Sequence, residues 1–140
     1  MFSIRRIYDY TRPRDAEILA QVQQMLKDQF VFITEQDIRA VPRQLHDPLK
    51  YRFRTILFAA ENGKGRLSGF AILLHSVDPP FCYLDYISAN ARMKGGGVGG
   101  ALYERVRQEA KSLRSHGLFM ECLSDDPLLC RTQGIIGQNK

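Results

Sequence analysis

Residues 92–102 read RMKGGGVGGAL, and five of the six residues 95–100 are glycine. Behind them Val98, Leu102, Val106, Ala110 and Leu113 recur at helical spacing, so the glycines open a helix. Ahead of them residues 81–88 (FCYLDYIS) are β-branched, aromatic and apolar enough to form a strand. A helix start presents unpaired backbone N–H groups and a partial positive charge, which suits a phosphate. Glycine lets the backbone come close to such an anion and take positive φ without a Cβ clash. A helix start needs only one capping residue, so five glycines ask for a further reason.

Two other phosphate loops compete on pattern. The run contains GxGxxG at Gly95, Gly97 and Gly100, with Glu121 about twenty residues on, as in a dinucleotide-binding unit. In that unit the glycines follow the strand at once, whereas residues 89–94 (ANARMK) intervene here. Glu121 also falls inside a strand-like run, LFMECL, and too little chain follows it for a doubly wound sheet. The absence of GKS or GKT excludes a P-loop.

Working outward, residues 3–10 (SIRRIYDY) read as a first strand. Thr11 caps a helix that has Pro13 in its first turn and Ile18, Leu19, Val22, Met25 and Leu26 on one face. Thr34 with Asp37 resembles a capping box opening a second helix, in which Ile38, Val41 and Leu45 point inward and Pro42 shortens or bends the rod. Residues 54–60 and 67–77 are strands, joined at Asn62-Gly63, the strongest hairpin signal in the chain. Gly117 is placed to end the helix after the glycines, and residues 118–123 supply a fifth strand. The order is β-α-α-β-β-β-α-β, without repeats or linkers.

The chain has 140 residues, enough for one domain and too few for two. No apolar run is long enough for a membrane helix, and the start resembles no signal peptide. Three cysteines without a CxxC pair fit a reducing, cytoplasmic setting. The net charge of +5 is spread over scattered arginines and lysines, which reads as a solvated surface and argues against nucleic acid as a partner. His46, His75 and His116 have no spacing with carboxylates or cysteines that suggests a metal.

At the glycines the sequence resembles the GNAT N-acetyltransferases, whose R/Q-x-x-G-x-G/A loop follows a fourth strand. Lys94-Gly95-Gly96-Gly97-Val98-Gly99 lies on that loop, and Gly97-Val98-Gly99-Gly100-Ala101-Leu102 matches its common extension. The strand ahead, YLDYISANARMKGGG, is similar to the family's stretch, with Asn90 and Ala91 where Asp and Pro are frequent. The resemblance implies an α/β (α+β) fold, a mixed and mostly antiparallel central sheet flanked by helices. It also implies acetyl-CoA as cosubstrate, no metal, and a small-molecule or protein amine as acceptor. Ile87, Ser88 and Ala89 would pair with the pantetheine arm through backbone groups, and Gly95, Gly96, Gly97, Val98, Gly99 and Gly100, with Lys94 adding charge, would take the pyrophosphate.

Asp85 is the candidate general base, a carboxylate in mid-strand that alternation would put on one face with Tyr83 and Ile87. The competing reading is a carboxylate that merely accepts hydrogen bonds from its neighbours. Glu121 is a second choice. Residues 124–140 depart from the family: no tyrosine follows Tyr103 to protonate the leaving thiolate, and Asn139 matches the family's asparagine by position only. The expectation is a single domain cut short after its fifth strand, its sheet completed by more chain, another domain or a second copy. A CoA-binding module without turnover is the alternative to an enzyme.

Overall fold

The apolar runs of the middle third become central strands because both of their faces are covered. In the computed structural model, which describes residues 2–89 and 97–120, β2 (Arg54–Asn62) and β3 (Leu67–Ser76) are buried over nearly their whole length. Even residues of β2 such as Ile56 and Phe58 pack on one side, and Leu57 and Ala59 on the other. The five strands are ordered β1-β2-β3-β4-β5. The first four, β1 (Phe2–Ile7) to β4 (Phe81–Ala89), pair antiparallel, while β5 (Leu118–Met120) runs parallel to β4. A parallel neighbour needs a crossover, and α3 (Val98–Ser112) provides it. The fold is therefore the mixed, mostly antiparallel sheet with flanking helices that the family resemblance implied.

On one face lie α1 (Pro13–Gln29) and α2 (Glu35–His46), and on the other α3. The capping box is present: Asp37 N–H donates to Thr34 Oγ1 at 3.0 Å, and Thr34 N–H reaches Asp37 Oδ2 at 3.4 Å. Buried Glu61 joins β2 to β1 and α1, accepting from Arg5 Nε at 2.9 Å and from Arg14 at 3.2 Å.

Four local expectations are corrected. Helix α1 is capped at Arg12 without a side-chain bond, because Pro13 takes the first helical position and leaves Thr11 one residue too early. The β2–β3 turn is not centred on Asn62-Gly63. Positive φ falls at Gly65, and the Asn62 side chain closes the loop by accepting from the N–H groups of Lys64 and Arg66. Gly117 does not end α3. Arg114 takes the left-handed turn at φ 55°, with its N–H on Lys111 O and that of Ser115 on Ala110 O. Gly117 instead accepts from Cys82 N–H.

The fourth correction concerns Pro42, which does not shorten α2: the helix runs on to His46. Proline has no N–H for the carbonyl four residues back, that of Ile38. Gln23 of α1 supplies the missing donor, its Nε2 lying 3.0 Å from Ile38 O. The helix break is thereby turned into a bond between helices. Gln23→Ala should cost about 1–2 kcal/mol in denaturant unfolding. In a Pro42→Ala background, where the backbone restores its own donor, that cost should fall by at least about half.

Candidate functional site

The site forms where β4 ends and α3 begins. Gly97 caps α3 at φ 74° and ψ 13°, with no side-chain bond to the first turn and no acidic residue within it. A side chain at 97 would be strained by about 1–2 kcal/mol in that left-handed conformation. Val98 and Leu102 anchor the helix, 2% and 0% exposed. Among the described residues a Cβ at Gly99 or Gly100 would meet nothing within 4 Å. Those residues give the two glycines no steric reason, although each costs about 1 kcal/mol against alanine inside a helix. The first-turn N–H groups have no carbonyl within their own helix. Such a positively polarised helix start, with no described residue against Gly99 and Gly100, can take an anion.

What brings this helix start to β4 is Gly69, which the sequence reading passed over. It pairs with Ala89, and a Cβ there would lie 2.6 Å from the carbonyl oxygen of Ser88, 2.9 Å from Val98 and 3.1 Å from Leu102. A lone glycine in an apolar strand run is a signal for such close approach. Ser88 itself is buried, and its hydroxyl donates to Gln29 Oε1 at the end of α1. Ile87 packs half-buried against the α3 side of the core, and Ala89 ends the strand. Lys94, Gly95, Gly96, Glu121 and Asn139 lie outside the described residues, as does the strand expected over residues 121–123.

Asp85 is exposed, and it does not share a face with both Tyr83 and Ile87. The pairing runs Ile72↔Tyr86 and then Leu73↔Leu84, so Asp85 is the extra residue of a β-bulge. Alternation consequently changes phase: Leu84 and Ile87 belong to the α3 side, whereas Tyr86 packs on the α1–α2 side. A sequence of clean period two cannot announce this. The bulge turns the carboxylate out of the ladder, next to a phenol. Burial, then the charges of Asp85 and Asp37, push the Tyr86 hydroxyl above its ordinary pKa, so it remains a proton donor at neutral pH. Its ring meets Phe30 edge-on, with centroids 4.9 Å apart. The α1–α2 connection and α2's first turn thus border the bulge.

A separate cleft of about 370 Å³ lies between α1 and the β2–β3 turn, lined by side chains such as Gln21, Gln24 and Arg66. It meets the site at Gln29 and lacks a helix start. Among the described residues no group of three histidines, cysteines or carboxylates could hold a metal, and no helix is long and apolar enough to cross a membrane.

The model of the GNAT acetyltransferase family matches residues 19–131, most of the chain, so the protein belongs to that family. Solved structures agree on the fold. GCN5 of Tetrahymena superimposes with a TM-score of 0.76 at 11% identity, over 94% of this chain and 77% of that one. The ribosomal-protein-alanine N-acetyltransferase of Brucella melitensis gives 0.62 at 20% identity, over 94% and 87%. An aminoglycoside acetyltransferase from an uncultured soil sample, solved with sisomicin, gives 0.67 at 12%, over 99% and 89%. No curated protein sequence matches.

Gly69→Ala should lower the unfolding free energy by about 1–3 kcal/mol, because two of its three contacts are closer than a Cβ tolerates and one is backbone. Protection of the α3 amides in hydrogen exchange should fall with it; an unchanged midpoint and unchanged α3 protection would contradict the close approach.

Proposed function

We propose that this acetyltransferase moves the acetyl group of acetyl-CoA to an amine by direct attack within a ternary complex. The observation that carries the reading is the start of α3: a left-handed glycine cap with no side-chain cap, then glycines at 99 and 100 facing open space. A pyrophosphate held by backbone N–H groups accounts for the missing side-chain cap and for the two glycines after it. Lys94, Gly95 and Gly96 would complete the loop, and the backbone of Ile87, Ser88 and Ala89 would hold the pantetheine arm. The ribosomal-protein-alanine and aminoglycoside acetyltransferases above are named for amine-bearing acceptors, which favours an amine here.

Chemistry at the thioester then needs a base and a proton donor. Asp85, turned outward by the bulge, takes a proton from the incoming ammonium, directly or through water. The neutral amine attacks the thioester carbonyl carbon, the carbon–sulfur bond breaks, and the thiolate leaves as CoA after taking up a proton. The polarised start of α3 acts on the phosphates, and the acetyl group lies further along β4 towards the bulge.

Fold and binding should respond in opposite directions to Gly99→Glu. Removing a helix glycine and placing an acid in the first turn should raise stability by about 1 kcal/mol or more. The same charge should weaken acetyl-CoA binding in calorimetry by about tenfold or more, through repulsion of the pyrophosphate. Unaltered affinity would remove the anion from α3.

Asp85→Asn should leave acetyl-CoA affinity within about twofold while lowering thiol release by about 10²–10⁴-fold. Acetyl-CoA binding with no thiol release from any amine would leave a CoA-binding module instead of an enzyme.

A further inference from the structure

One stretch of the sheet on the α1–α2 side is not covered by those helices among the described residues. Cys82, Leu84 and Leu118 face α3, so their neighbours Phe81, Tyr83 and Phe119 face the other way. Phe119 is 46% exposed although it is a large apolar side chain on a strand. It meets Phe81 edge-on at 6.2 Å, and Phe81 meets Phe53 at 6.0 Å. Beyond them the exposed guanidinium of Arg52 stands 5.5 Å from the centre of the Phe53 ring. An aromatic floor thus runs from the acidic bulge at Asp85 to a cation at the start of β2.

The two ends carry opposite charges, and their separation follows from strand geometry. Asp85 and Phe81 are four residues apart along β4, and Arg52 lies just beyond Phe53, two strands across from Phe81, so the two ends are roughly 16–19 Å apart. A free amino acid holds its ammonium and carboxylate far too close together to reach both ends. An extended chain covers about 3.3–3.6 Å per residue, so about five residues span the floor.

We propose that the acceptor is the amino terminus of a peptide, with an apolar first residue and an acidic fourth or fifth residue. Its ammonium lies at Asp85, its first side chain on Tyr83 and Phe119, and its acidic side chain at Arg52. This rests on the acetyl-transfer reading of the same site, because it places the attacking nitrogen at the bulge. The charges of Asp85 and Asp37 around Tyr86 agree with a cationic nitrogen there. Complementary charge at the two ends fixes the direction in which the peptide lies, and the rings supply the contact area.

The test uses the full chain saturated with CoA and three peptide amides: Phe-Ala-Ala-Ala-Glu, Phe-Ala-Ala-Ala-Lys and Gly-Ala-Ala-Ala-Glu. Calorimetry should show the first binding about tenfold more tightly than the second, as expected for one charge pair reversed at a partly solvated site. Arg52 is exposed, so Arg52→Glu should fold normally, and it should invert that preference. Phe119→Ala should shrink the advantage of the first peptide over the third. Equal affinities for the first two peptides, or a preference that Arg52→Glu leaves unchanged, would overturn the inference. CoA binding without any peptide binding would overturn the peptide acceptor and leave the CoA site standing. Failure to bind CoA would overturn both.

Discussion

The first turn of α3 can lie against the sheet only because residue 69 has no side chain. A Cβ at that position would press on the Ser88 carbonyl, on Val98 and on Leu102 together. The helix would have to move away from β4, taking its N–H groups with it. Gly69 therefore joins two features that are distant in function: the backbone at the end of a strand and the polarised start of a helix. Everything proposed for the cosubstrate depends on those two being neighbours. Gly97 makes a second demand on the same junction, since only a left-handed residue at that position turns the chain into α3 as observed.

The other face of the sheet is organised differently. Helices α1 and α2 are tied by the Gln23–Ile38 bond, and the connection between them is fixed by the Thr34 capping box and by Phe30 against Tyr86. The two cores meet at β4, and the bulge lets that strand serve both. Below it Leu84 is on the α3 side; above it Tyr86 is on the α1–α2 side, although the two are only two residues apart. Asp85 is released from the ladder at that point. A carboxylate in the middle of a regular strand would be paired and partly covered, whereas one in a bulge can meet solvent and a substrate.

Legibility followed the range of the interaction. The helix start at the glycines, the capping box at Thr34 and the amphipathic face of α3 were readable because each is written within a few consecutive residues. The mixed sheet followed from the order of elements and from the family resemblance. What could not be read depends on partners far along the chain. Asp85 looked like an ordinary mid-strand residue because the bulge is set by pairing with β3. Pro42 looked like a helix breaker because its remedy, Gln23, is on another helix. Gly117 looked like a helix stop because nothing local says that Arg114 will accept φ 55°. Gly69 was the exception: a lone glycine in LSGFAILLHSV is a local sign, and its meaning lies in the helix that packs on it.

The glycines at 99 and 100 differ from Gly69 and Gly97 in a way that separates fold from function. Gly69 is required by packing and Gly97 by φ, so both would be glycine in a protein that bound nothing. At 99 and 100 the backbone is helical, and no described residue fills the space beyond it. Each glycine there costs about 1 kcal/mol against alanine, a visible share of the 5–15 kcal/mol that holds a domain together. Stability alone would favour side chains at both positions. The proposed cosubstrate, whose pyrophosphate would come within contact distance of the backbone, supplies a physical ground for their absence.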